Sequence, residues 1–181
     1  MNRTHKFCVC VLISVLSVFT VSAQSRLTQL PFGIKIGQTT NEEIEDRGTC
    51  VKQVKENDGK ERCEQYDIAG NFFVLSSQNE VVNKVYFDAS AGNQLPRQWQ
   101  ELGLGFGGQN SSGTLEIDFR NIIKANGASY INTSMSINAK EEEGILFKFD
   151  IEGLRYAATV ITNSTKSDKL GLRSITITEA Y

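Results

Sequence analysis

The chain has 181 residues, 19 basic and 21 acidic, for a formal charge of −2, and 40% of them are hydrophobic. No block of lysine or arginine runs along it, which argues against nucleic acid as a partner. The one histidine, His5, stands among the first six residues.

Residues 1 to 23, MNRTHKFCVCVLISVLSVFTVSA, open with Arg3 and Lys6, run apolar from about Phe7 to Phe19 and finish with the small residues Val21 and Ala23. A basic start, an apolar middle and a small-residue finish predict a secretory signal cut between Ala23 and Gln24. The apolar run is shorter than the roughly 20 residues of a membrane span. The mature chain is therefore expected in the periplasm or the medium, without inserting into a membrane. Cys8 and Cys10 begin the apolar run and Gln24 follows the cut, so the cysteine a lipid anchor needs is not in place. The 158 residues that remain carry 17 basic and 21 acidic groups, a formal charge of −4, and suit one domain or two small repeats.

Two cysteines travel with the mature chain, Cys50 and Cys63. In an oxidising compartment they have only each other to pair with. A bridge over so short a loop is worth about 3 kcal/mol in the chain-entropy picture.

The stretch FGIKIGQTTNEEIEDRGTC leads up to the first of them. Thr40-Asn41-Glu42-Glu43 has the pattern of a capping box, so a helix of about two turns is predicted, with Ile44 facing inward and Gly48 as its stop. Glu42, Glu43, Glu45 and Asp46 then sit at the positive end of a helix, with no histidine or cysteine to complete a ligand set, and no metal is assigned. The pattern next changes to period two. CVKQV, CEQYDIA, FFVLS and VVNKVYF predict four strands, separated by the turn segments ENDGK, GN and SQNE.

QLPRQWQELG reads as a second helix, with Pro96 near its start, Trp99 within it and Gly103 at its end. LGLGFGGQNSS echoes LPFGIKIGQTT, and TLEIDFRNIIKANG follows, with Leu115, Phe119, Ile122 and Ile123 on one helical face. Leu115, Ile117 and Phe119 also alternate as in a strand. ASYINTSMSIN, GILFKFDI, LRYAATVIT and LGLRSITITEA predict four more strands, with Ile145, Phe147, Phe149 and Ile151 on one face and Ile131, Met135 and Ile137 sharing another. The expected fold class is therefore α+β, in two tandem repeats (24–92 and 93–181) of short helices followed by a four-stranded antiparallel meander. The two halves can align into one broad sheet with helices on one side.

The FGIKIGQTTNEEI element, a strand-like run into Gly-x-Thr and a capped short helix, resembles the repeat unit shared by the β-lactamase inhibitor protein and the small lipoprotein of the outer-membrane barrel-assembly machinery. The tandem arrangement and the Cys50–Cys63 hairpin after the helix are more similar to the inhibitor. The second repeat departs from it in lacking a cysteine pair, and the missing lipid-anchor box departs from the lipoprotein. The resemblance implies a protein-binding role, although a shared fold does not fix function.

Chemistry is mostly excluded. Without a mature histidine, and with its cysteines bridged, the chain cannot build a Ser-His-Asp triad, a Cys-His pair or a histidine-ligated zinc site. Paired carboxylates can cleave a glycosidic bond, yet nothing marks out a pair among Asp67, Asp88, Glu116, Asp118, Asp150 and Glu152. GLGFGG lacks the Gly-Lys-Ser/Thr ending of a phosphate loop. Asn110, Asn132 and Asn163 head glycosylation-type triplets, which an Asn- and Ser-rich chain generates by chance.

Function is thus expected at the surface, with no catalytic residue, no metal and no cofactor. Asp58, on a hairpin tip stapled by the bridge, is a candidate partner contact together with the aromatic residues Tyr66, Tyr86 and Trp99. The expected partner is another protein, a hydrolase or toxin that the chain inhibits. An envelope assembly or scaffold role and a small-ligand site stay open as alternatives, and the oligomeric state is not fixed by the sequence.

Overall fold

The computed structural model describes residues 25–68, 72–76, 79–89, 94–107, 113–138, 142–166 and 169–181. The expected signal segment, with its cut between Ala23 and Gln24, lies outside the described residues.

Strands β1 (Thr49–Lys55), β2 (Glu61–Ile68), β3 (Phe72–Ser76), β4 (Val82–Asp88), β5 (Tyr130–Asn138), β6 (Glu142–Ile151), β7 (Leu154–Ser164) and β8 (Gly171–Glu179) form one antiparallel sheet, in the order β1-β2-β3-β4-β8-β7-β6-β5. Among the described residues helices are few and short: α1 (Asn41–Glu45), α2 (Arg97–Gln100) and α3 (Glu116–Ala125), with 3-10 turns at Arg26–Thr28 and Pro31–Gly33.

This corrects the expected fold class. The chain is mostly a single eight-stranded antiparallel sheet with few short helices, and it is not an α+β fold of tandem repeats in which helices lead a four-stranded meander. The reason lies at the seam. A meander left alone would expose the unpaired backbone of its last strand, an edge that costs solubility. Here β4 and β8 pair those edges with each other, from Lys84 opposite Thr178 to Asp88 opposite Ser174. Val85 and Phe87 of β4 and Ile175 and Ile177 of β8 are all nearly or fully buried there, so the apolar face continues across the junction. Helices of five, four and ten residues are too small to close two independent cores.

All three helices cover the same face. Ile44 of α1, Trp99 of α2, and Phe119 and Ile123 of α3 belong to one apolar cluster with Tyr66, Ile68, Phe147, Phe149, Tyr156 and Ile177. Trp99 tilts on Phe87 at 5.0 Å between ring centroids, and Phe119 meets Phe147 edge-on at 5.2 Å. The capping box of α1 is present. The Thr40 hydroxyl accepts from the Glu43 N–H at 3.3 Å, and the Glu43 carboxylate accepts from the Thr40 N–H at 2.8 Å. The helix stops after five residues, with the Gly48 N–H donating to the Ile44 carbonyl at 2.9 Å. Leu115, expected on the buried face of α3, precedes its first turn and is exposed.

One close backbone approach ties the helical layer to the sheet. Leu172 N–H donates to Thr114 C=O and Gly113 N–H to Leu170 C=O, each at 2.8 Å, so the segment entering α3 lies along the start of β8. A Cβ on Gly171, whose φ is +94°, would stand 2.5 Å from Gly113, which only glycine avoids.

Candidate functional site

Side chains alternate between the two faces of a sheet, and residues directly opposite on neighbouring strands share a face. Since the helices cover one face, the register defines the other. Lys84, Thr178, Arg155 and Asp150 form one row across β4, β8, β7 and β6. Tyr86, Thr176, Ala157, Lys148 and Ile131 form the next row, which reaches β5.

The middle of these rows is built from small residues, Thr176, Thr178 and Ala157, and the ends from long ones. The result is a groove of about 800 Å³ in the uncovered face. Three cationic side chains, Lys84, Lys148 and Arg155, stand around it with one carboxylate, Asp150. Arg155 donates to Asp150 through Nε and Nη2, both at 3.1 Å, and this fork holds the Asp150 carboxyl below its ordinary value. Among the described residues, Lys84 and Lys148 make no ion pair. An acidic chain thus gathers a net positive charge in one depression. Ile131, 74% exposed, flanks it, and Met135 and Ile137 extend the apolar edge along β5.

The residues singled out from sequence are distributed otherwise. Cys50 and Cys63 form a disulfide, with Cα atoms 5.8 Å apart. They do not face each other directly, since Cys50 stands opposite Tyr66 and Cys63 opposite Gln53. Register shifts on either side of Lys52 bring them together. A structural disulfide fits a compartment outside the reducing cytoplasm. No helix of the described residues is long and apolar enough to cross a membrane.

Asp58 lies in the β1–β2 turn, at the far side of the sheet order from the groove. Its carboxylate accepts from the Lys60 N–H at 3.0 Å and meets Lys60 Nζ at 3.5 Å, so it shapes its own turn. Trp99 is fully buried and donates through Nε1 to the Arg26 carbonyl at 3.2 Å, and Tyr66 is 2% exposed with its hydroxyl on Glu45 at 3.1 Å. This corrects the expectation for both rings, because a side chain that builds the core under the helices presents no area to a partner. Burial, helped by Glu45, pushes the Tyr66 hydroxyl up to about 12. Tyr86 alone of the three aromatic candidates sits on the uncovered face, where burial and the nearby Asp88 raise its pKa.

The candidate carboxylates do not gather. Asp150 holds Arg155, Glu116 holds Arg120, and Glu152 accepts from the Ser25 N–H and the Thr28 hydroxyl, each at 2.9 Å. Among the described residues no group of three His, Cys, Asp or Glu side chains could hold a metal.

Comparison with family models, with curated proteins and with solved structures gives no match to this chain. Its site is therefore read from its own geometry. An open, positively lined groove bordered by exposed aliphatic side chains can take up an acidic projection through charge and apolar contact together. Sequence inspection missed Lys84, Lys148 and Arg155, because they come from three strands whose adjacency depends on the β4–β8 seam. The one local signal was the run of small residues at alternate positions of β8.

Proposed function

We propose that the chain is exported to the periplasm or the medium, and there binds another protein across the uncovered face of its sheet. It has no catalysis and no cofactor of its own. The sharpest form of this reading is an inhibitor or immunity protein that occludes the active site of a secreted or periplasmic hydrolase or toxin. The observation that carries it is the one-sided fold. Helices α1, α2 and α3 pack on one face, and the other offers a cationic groove beside exposed Ile131 and Met135. Exposed apolar area next to an open charged depression is characteristic of interaction surfaces.

The test is affinity capture from the culture and envelope fractions, with the chain from Gln24 onward, its bridge formed, as bait. A Lys84→Glu/Lys148→Glu double variant serves as control. Recovery of a hydrolase whose activity falls on adding the bait, and which the control fails to retain, supports the reading. Retention of the same protein by the control moves its binding site off the groove, and recovery of barrel-assembly components favours the scaffold role. A volume of about 800 Å³ also lies in the range of small-molecule sites, so an acidic small ligand is the second reading. Equilibrium dialysis against a set of di- and tricarboxylates tests it.

A further inference from the structure

The two edges of the sheet are built differently. β1 carries Lys52 and Lys55, is bent by two register shifts and is cross-linked to β2. Lysines and bulges are the means by which an edge strand keeps other strands from adding to it. β5, the opposite edge, has none of these along most of its length. Its sequence YINTSMSIN holds no charged residue and no proline, and its ladder with β6 runs without a shift from Tyr130 to Ser136. Residues 131 to 137 are all exposed. The outward N–H and C=O groups of such a strand are a template for another strand.

We propose that β5 pairs antiparallel with β5 of a second copy of this chain, about a two-fold axis at Ser134. Ile131 and Ile137 stand at equal distances on either side of that residue, and so do the neutral polar residues Asn132 and Ser136. In this register Ile131 faces Ile137 of the second copy, Thr133 faces Met135, Asn132 faces Ser136, and Ser134 faces itself. The exposed aliphatic residues of both copies then form one continuous seam on the face the helices leave open. Each contact occurs twice, as a two-fold interface requires.

Charge permits this partner. A neutral strand laid against itself places no like charges opposite each other; of the two carboxylates that line the depression beside Ser134 and Ser136, Glu116 is held by Arg120 and Glu143, one strand further in on β6, accepts from the Asn163 amide at 3.4 Å. The contact is small, since nine residues from each chain fall short of the 20 to 30 per side of a standard stable interface. The dimer is therefore concentration-dependent, with a dissociation constant between about 1 μM and 1 mM. Ile131 and Met135 belong both to this seam and to the border of the groove, so a partner seated in the groove competes with the second copy for them.

The test uses the chain from Gln24 onward with its bridge formed. Sedimentation velocity from about 1 μM to 1 mM is expected to show a monomer giving way to a dimer, and Met135→Lys to raise the dissociation constant at least tenfold. Register is read by cross-linking. Ser134→Cys places two thiols opposite each other at the axis, whereas Asn132→Cys leaves its pair about 14 Å apart along the strands. Under mild oxidation the first variant is expected to cross-link at least ten times faster than the second. Both positions are exposed, and Trp99 fluorescence reports that the fold is kept. A monomer throughout the range, an unchanged constant for Met135→Lys, or equal cross-linking of the two cysteine variants overturns the proposal.

Discussion

Tyr156 shows how much one polar atom can hold in this core. Its ring stacks on Phe149 at 4.8 Å, and its hydroxyl donates to the Leu27 carbonyl at 2.8 Å, fastening the Arg26–Thr28 turn to the middle of the sheet. Tyr156→Phe keeps the ring and strands the carbonyl, so a loss of about 1–3 kcal/mol is expected by urea unfolding. Tyr66 adds a pH signature. A free tyrosine ionises near pH 10, while Tyr66 in the folded chain ionises at about 12. Between those values the folded state binds more protons than the unfolded one, so stability present below about pH 10 is lost as pH rises. Thermal unfolding followed from pH 9 to 12 should show this decline, and Tyr66→Phe should make it shallower, leaving the part that the raised hydroxyls of Tyr156 and Tyr86 contribute. A slope identical to that of the parent chain would remove Tyr66 from the account.

The β1–β2 hairpin is the element most dependent on a covalent link. Its outer strand is mostly exposed and pairs on one side only, so the Cys50–Cys63 bridge supplies what packing does not. Replacing both cysteines by serine is expected to cost about 3 kcal/mol, as judged by urea midpoints at unchanged slope. Most of this level was legible in the sequence. Period-two alternation located all eight strands to within a few residues, because the inner strands β4, β6, β7 and β8 each turn alternate side chains into the core and turn residues punctuate the rest. The capping box at Thr40 was legible because it is purely local chemistry. What could not be read was the length and weight of the helices. Pro96 and Gly103 bracket a segment of helical composition, yet only Arg97–Gln100 is helical, since α2 has to fit beneath Phe87 instead of lying freely along the sheet. Trp99 and Tyr66 were misplaced for a related reason: whether a ring faces a partner or the core depends on which face of the sheet the helices choose.

For the molecule as a whole, the β4–β8 seam decides both the architecture and the site. Lys84 comes from the first half of the chain and Lys148 and Arg155 from the second, so the groove exists only when the halves are joined. Ile177, fully buried at the seam, tests the unity of the sheet. Ile177→Ala is expected to cost about 2–5 kcal/mol, with the far-ultraviolet signal and Trp99 fluorescence still moving in a single transition. Two separated transitions would mean that the halves melt independently. The same seam also sets a timetable. β4 ends at Asp88 and the strand that completes it begins at Gly171, about eighty residues later. At roughly 5–20 residues per second, a growing chain waits some 4–16 s between offering that edge and supplying its partner. During this interval β4 is open to any passing strand, and faithful folding depends on whether β8 arrives before a stranger does.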